Sequence, residues 1–166
     1  MKTALLICLI ALAHIAAQAQ GPRGKEFGFG IVLGEPTGAT VKYWTNKQNA
    51  LIGSIGGTAF GSLRIQGDYV WHFNAFSSDI VKLYIGPGLG VGFGSGGFGL
   101  FYKKGRESWY YREDGSAVIL GRMVLGANII PRRSPLEIFV ELAPVIGFVP
   151  AVGFGVEAAV GLRFYP

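Results

Sequence analysis

Ionisable residues are sparse in this chain, and several of them recur four positions apart. Arg64, Asp68 and His72 are spaced in this way, and so are Glu137 and Glu141. In an extended strand, residues four apart project from the same face, so each set would share one environment. Guanidinium groups beside carboxylates can form a buried ion-pair network or line a path for ions. Which of these applies depends on the elements that carry the residues and on the direction of that face.

The first nineteen residues have the features of a secretion signal. Lys2 precedes an apolar stretch from Ala4 to Ile15, and Ala17-Gln18-Ala19 fits the small-x-small rule for cleavage before Gln20. A single transmembrane helix is the alternative, but this apolar run is too short to span a bilayer. We therefore predict a cleaved signal peptide over residues 1–19 and one domain over residues 20–166.

Alternating segments after the signal predict an all-β fold. The clearest segment is Gly153 to Phe164, where even positions are apolar and odd positions are small or charged. The predicted strands are Phe27 to Gly34, Ala39 to Trp44, Leu51 to Phe60, Leu63 to Phe73, Ile80 to Phe93, Ala117 to Ile130, Leu136 to Phe148 and Gly153 to Phe164. Pro87 and Pro144 lie inside two of them, and we expect a local bulge at each.

Composition decides which face points inward. Charged residues are 15% and hydrophobic residues 50% of the chain, and no window after the signal approaches the length of an apolar membrane helix. Four glycines, at 86, 88, 90 and 92, share one face of the fifth strand, where larger polar side chains would suit a face in water better. The apolar faces carry aromatic residues near both strand ends, as two interfacial girdles would require. We therefore predict a closed antiparallel up-and-down transmembrane β-barrel of eight strands with an apolar exterior.

Two segments carry a resemblance to known proteins. Tyr84-Ile85-Gly86-Pro87-Gly88-Leu89-Gly90-Val91 and the closing Gly161-Leu162-Arg163-Phe164, together with the alternating strands, resemble the small outer-membrane β-barrel proteins, including the transmembrane domain of OmpA-type proteins. The resemblance implies a location in the outer membrane of a Gram-negative-type cell, in contact with outer-membrane lipid. It also implies that the barrel-assembly machinery reads the aromatic end of the last strand, here Phe164 and Tyr165.

The inward face would carry nearly balanced charges. They are Lys42, Arg64, Asp68, Lys82, Arg122, Glu137, Glu141, Glu157 and Arg163, with His72 beside them. Five basic and four acidic groups inside eight strands predict a lumen filled by a salt-bridge network. The last hairpin would place Glu137 opposite Arg163, and five of these groups would lie near mid-height: Arg64, Asp68, Arg122, Glu141 and Glu157. The alternative is a narrow pore or channel lined by the same residues.

The long stretch from Gly94 to Ser116 offers the best contact surface. Its candidates are Lys103, Lys104, Arg106, Trp109, Tyr110 and Tyr111, a mixture common at interfaces. With the N-terminus on the periplasmic side this stretch is extracellular. It could bind a surface ligand, which the sequence does not identify, or pack its own aromatic residues over the barrel mouth. The net charge is +5, or +4 without Lys2, with no block of like charges, so we expect no nucleic-acid partner.

Catalytic and metal chemistry have little support. Without the signal, His72 is the one histidine and no cysteine remains, so neither a histidine nor a thiolate metal cluster can form, and we expect no cofactor. A lipid-modifying enzyme would need a nucleophile beside a histidine at the lipid-facing surface. His72 shares its face with Arg64 and Asp68, which points it inward. We therefore expect a non-enzymatic barrel with an envelope-structural or surface-recognition role, with a pore as the first alternative and a lipid-modifying enzyme as the second.

Overall fold

The computed structural model describes residues 24–59, 62–74, 78, 80–94, 101–104, 108–111, 117–131, 134–149 and 152–166. The predicted signal peptide lies outside these residues. The strands are β1 (Phe27–Gly34), β2 (Thr37–Trp44), β3 (Asn49–Gly57), β4 (Leu63–Asn74), β5 (Val81–Phe93), β6 (Phe101–Lys104), β7 (Ser108–Tyr111), β8 (Val118–Ile129), β9 (Leu136–Val149) and β10 (Gly153–Phe164). Among the described residues no helix is long and apolar enough to cross a membrane.

Eight of the strands close into a barrel. Each of β1, β2, β3, β4, β5, β8, β9 and β10 pairs antiparallel with the next in that order, and β1 pairs with β10 to complete the ring. This arrangement confirms the predicted all-β, up-and-down barrel of eight strands. We call the end that carries the start of β1 and the finish of β10 the terminal end, and the opposite end the loop end.

Two tight turns make β2 and β3 start earlier than predicted. Thr37 Oγ1 accepts a hydrogen bond from Gly34 N and donates one to Gly34 O, both at 3.0 Å, so β2 begins at Thr37. Asn46 Oδ1 accepts hydrogen bonds from the backbone N–H groups of Gln48 and Asn49, which fixes the turn before β3. Side-chain hydrogen bonds of this kind stabilise the turn, so the strand begins before the residues whose alternation predicts it.

The expected bulges at Pro87 and Pro144 were wrong. Asp68 pairs with Gly88 and Trp71 with Ile85, so the β4–β5 register is the same on both sides of Pro87. Pro144 pairs directly with Val156 in an unbroken β9–β10 ladder. A proline removes one donor but needs no inserted residue, so the register continues past it. A register shift in the wall lies instead in the β8–β9 pairing, between Ile119 and Leu120.

The barrel has an apolar exterior and buries its charged wall residues inside. Along β9, Ile138, Val140 and Leu142 are 45%, 52% and 56% exposed, whereas the alternate residues Glu137 and Glu141 are buried. On the other wall strands the outward face is likewise apolar, whereas the inward face combines charged residues such as Arg64 and Arg122 with apolar ones such as Val70 and Leu120. The aromatic residues predicted for the two girdles, including Trp71, Phe148 and Phe164, lie on the exposed face. A large apolar exterior of this kind is unsuited to water and matches the lipid-facing belt of a membrane barrel.

Candidate functional site

Arg122 lies among three carboxylates at the middle of the lumen. Its Nε is 3.4 Å from Asp68 Oδ1, its Nη2 is 3.8 Å from Glu141 Oε2 and its Nη1 is 3.9 Å from Glu157 Oε2. Arg64 forms a second ion pair with Glu157. We call these five residues the central cluster, and all of them are buried. The structure therefore brings together the five charged residues that the sequence placed near mid-height.

Glycines of β5 provide the space for the central cluster. Gly88 pairs with Asp68 on one side and with Arg122 on the other, so the two charged residues flank a position without a side chain. A Cβ added at Gly88 would lie 1.8 Å from Asp68 Oδ1. Gly90 and Gly92 pair with Gln66 and Arg64 in the same way. Charged side chains of β4 and β8 thus meet over the inner face of β5.

A second group of residues converges on Glu137 near the terminal end. Its carboxylate accepts hydrogen bonds from Lys42 Nζ at 2.8 Å, Asn128 Nδ2 at 2.9 Å and Arg163 Nη1 at 3.1 Å, and a fourth from the Tyr165 hydroxyl. We call these five residues the terminal cluster. Arg163 pairs directly with Glu137 across the β9–β10 ladder, which confirms the predicted register. Four donors, two of them cationic, leave this buried carboxylate well compensated.

A contact between Arg163 and Glu141 joins the two clusters, and Tyr84 adds a further hydrogen bond to Glu141. Arg163 Nη2 lies 3.7 Å from Glu141 Oε1, and the Tyr84 hydroxyl donates to the same oxygen at 2.8 Å. The charged and hydrogen-bonded side chains therefore form one connected network along much of the lumen.

Aromatic rings surround Lys42 in the terminal half of the lumen. Its Nζ is 4.4 Å from the Trp44 ring centroid and 5.1 Å from that of Tyr84. Lys82, which the sequence placed with the lumenal charges, is half-buried, with its Nζ 5.3 Å from the Trp44 ring centroid. Cation–π contacts of this kind favour a desolvated ammonium group beside a ring face.

Both ring nitrogens of His72 make contacts within the barrel. Its Nε2 lies 2.9 Å from Lys42 Nζ, and its Nδ1 lies 3.0 Å from the carbonyl oxygen of Gln48. Because an ammonium group can only donate, Nε2 accepts and the ring carries its proton on Nδ1. This arrangement holds the histidine inside the barrel, away from the lipid-facing surface.

Sequence reasoning missed several uncharged members of the network. Thr40 Oγ1 accepts hydrogen bonds from Arg163 Nε and Nη2 at 3.2 and 3.1 Å, and Asn128 and Tyr165 contact Glu137. Tyr165 follows the last strand, where continued alternation would have indicated an inward side chain. Burial raises the pKa of its hydroxyl above the usual range, and the nearby Glu137 carboxylate acts in the same direction.

The predicted contact loop contains a short hairpin. Within 94–116, β6 and β7 pair so that Lys103 is opposite Trp109 and Lys104 is opposite Ser108, and Tyr110 and Tyr111 also lie on β7. Phe101 of β6 pairs with Phe154 of β10, which docks the hairpin against the wall strand beyond the end of β1. Arg106 lies outside the described residues.

Comparison with solved structures identifies a similar fold. The crystal structure of the N-terminal beta-barrel domain of Pseudomonas aeruginosa OprF aligns with a TM-score of 0.59 and 13% identity, covering 87% of this chain and 98% of that one. This similarity confirms, at the level of fold, the resemblance to OmpA-type barrels indicated by the sequence. No family model and no curated protein sequence matches the chain.

Proposed function

We propose that this chain is a non-enzymatic integral outer-membrane barrel with an envelope-structural or surface-recognition role and a lumen closed by its own side chains. The observation that carries the proposal is the inverted polarity of the barrel. Large apolar side chains cover its exterior, whereas Lys42, Arg64, Glu137 and Arg163 are fully buried inside. A lipid environment favours this arrangement, because lipid covers the apolar exterior that water would otherwise contact while the buried charges pair with one another.

The height of the apolar exterior supports a membrane-spanning position. Phe154 and Phe164 both face outward on β10, with exposed fractions of 51% and 40%. Ten residues of strand extend about 33 Å, and a tilt near 40° reduces this to roughly 25 Å, the height of an outer-membrane apolar band. Outer-membrane lipid is therefore the partner of the outer face, and export would use residues 1–19 as a signal peptide.

Orientation follows from the connections between strands. Short connections join β2 to β3, β4 to β5 and β8 to β9 at the terminal end, which we assign to the periplasm. The segment 94–116 is then extracellular, with Lys103, Lys104, Arg106, Trp109, Tyr110 and Tyr111 as the contact surface for a partner or an anionic headgroup. Phe164, exposed at the end of β10, is the aromatic residue that the barrel-assembly machinery would read.

Compact folding in detergent provides the first test. The protein is expected to fractionate with the outer membrane, to begin near Gln20 and to migrate differently in gel electrophoresis before and after boiling. The apolar exterior binds detergent while the closed hydrogen-bonded ladder resists unfolding at room temperature. A soluble periplasmic protein without a heat-dependent shift would contradict the membrane assignment.

Sidedness provides the second test. Protease added to intact cells is expected to cut first within residues 94–116, because exposed connections are the usual sites of nicking. The connections between β4 and β5 and between β8 and β9 serve as internal controls, since they would face the periplasm. Cleavage confined to these two connections would mean that the orientation is reversed.

A narrow pore is the second candidate function, and one observation favours it. Among the described residues, both carboxylate oxygens of Asp68, Nε and Nη1 of Arg122 and Oε2 of Glu157 have no hydrogen-bond partner within the protein. Water in a continuous path would satisfy these atoms. Their ion-pair distances to one another, 3.4 to 3.9 Å, favour direct contact and a closed lumen instead.

A further inference from the structure

Tyr165 differs from the other members of the terminal cluster because it follows β10 and belongs to no strand. Its side chain nevertheless turns into the lumen and is only 1% exposed. The hydroxyl donates to Glu137 Oε2 and accepts from Trp44 Nε1 at 3.1 Å, and the backbone N–H donates to Pro135 O at 2.7 Å. A residue outside the ladder is thus hydrogen-bonded to side chains of both β2 and β9.

The Tyr165 ring occupies a space left by a glycine of β1. A Cβ added at Gly28 would lie 2.6 Å from Cζ of the ring and within 2.8 Å of both Cε atoms. Beyond the ring, Trp44, Lys42 and Glu137 are fully buried. Movement of the ring would therefore open a path for water from the terminal end to these groups.

Movement of this ring would leave the barrel wall intact. The ladders of β10 with β1 and with β9 both reach Phe164, and Tyr165 adds one backbone hydrogen bond beyond them. Without the Tyr165 hydroxyl, Glu137 keeps its hydrogen bonds from Lys42, Asn128 and Arg163. The buried carboxylate would stay compensated, so opening here costs much less than unfolding.

We propose that Tyr165 is a latch that closes the terminal end of the lumen and opens independently of the central cluster. The inference rests on the proposed closed lumen and deepens it. It assigns closure of the terminal end to a single residue outside the strands, whereas the central cluster closes the middle of the lumen. Opening of the latch would hydrate Trp44, Lys42 and Glu137, whereas Arg122 and its three carboxylates would remain in place.

Hydrogen exchange at the Trp44 indole N–H tests the latch. The rate is measured by NMR on the purified protein in detergent micelles for the parent, Tyr165→Ala and Gly28→Ala. Gly28→Ala displaces the ring without removing the hydroxyl, so it separates displacement of the latch from simple loss of the acceptor. Gly57→Ala is the control, because an added Cβ there has no neighbour within 4 Å.

Both latch variants are expected to raise the Trp44 exchange rate about tenfold or more, beyond any change explained by the free energy of unfolding measured in urea. The control is expected to match the parent. Unchanged exchange in Gly28→Ala, or exchange that only follows global unfolding, overturns the latch, and Gly28→Ala decides the question if Tyr165→Ala does not fold. Ion conduction by the parent would instead refute the proposed closed lumen, whereas a closed parent with unchanged Trp44 exchange refutes the latch alone.

Discussion

Arg122→Ala is expected to lower the free energy of unfolding by about 3 to 5 kcal/mol and to leave ion conductance almost unchanged. The arginine lies within 4 Å of Asp68, Glu141 and Glu157. Glu157 is also paired with Arg64 and Glu141 with Arg163, whereas Asp68 has no other ion pair among the described residues. Removing the guanidinium leaves the buried Asp68 carboxylate without its cation and takes a second cation from Glu141 and Glu157. In a closed lumen no water would solvate the carboxylates in place of the guanidinium.

A water-filled path predicts the opposite pair of results. Solvent would screen the carboxylates, so the stability loss would be small, and loss of a positive charge would shift ion selectivity towards cations. Urea unfolding and bilayer conductance are therefore measured on the same variant. Met123→Ala is the matched control, because Met123 is the next residue of β8 and lies on the outer face. An unchanged midpoint with a clear selectivity shift would replace the closed lumen with a pore.

The wall of the barrel was predictable because alternation with a period of two is a local property of each strand. The same property placed Glu137 opposite Arg163, since these residues lie on consecutive strands joined by a short turn. The β6–β7 hairpin was not predicted, because its segment lacks alternation and its pairing with β10 depends on where β1 ends.

Contacts across the lumen could not be assigned in the same way. Arg122 on β8 meets Asp68 on β4 and Glu157 on β10, and neither strand is its neighbour in the wall. Such contacts depend on the stagger of the closed barrel, which adds over all eight strands. Small errors in strand ends therefore change which side chains share a height. The sequence could identify the charged set, but the partners required the three-dimensional arrangement.

The role of the glycines on the inner face likewise required the three-dimensional arrangement. From sequence the glycines of β5 indicated an inward face, and the structure shows that several inner-face glycines accommodate a large side chain of another strand. A Cβ at Gly126 would lie 2.2 Å from Cζ of Tyr84, and one at Gly161 would lie 2.4 Å from Cζ of Phe139. Glycines at these positions are thus a means of filling the lumen, because they admit rings that a narrower interior would exclude.

Gly126→Ala is therefore expected to destabilise the barrel by about 1 to 3 kcal/mol, although alanine normally suits a strand better than glycine. The added methyl group overlaps the Tyr84 ring, which is 1% exposed and whose hydroxyl donates to Glu141. The ring can move only by displacing its packed neighbours and by breaking that hydrogen bond. The cost should appear in urea unfolding, and altered NMR shifts of the Tyr84 ring should accompany it.

Gly67→Ala provides the matched comparison, because Gly67 lies on the outer face of β4 and the nearest atom to an added Cβ is Ile52 O at 3.8 Å. With no overlap, the smaller backbone entropy of the unfolded chain should leave its stability unchanged or higher by up to about 1 kcal/mol. Opposite signs for the same substitution on the two faces would follow directly from a filled interior. Equal effects at Gly126 and Gly67 would mean that the inner face can accommodate an added methyl group. This result would contradict a closely packed, closed lumen.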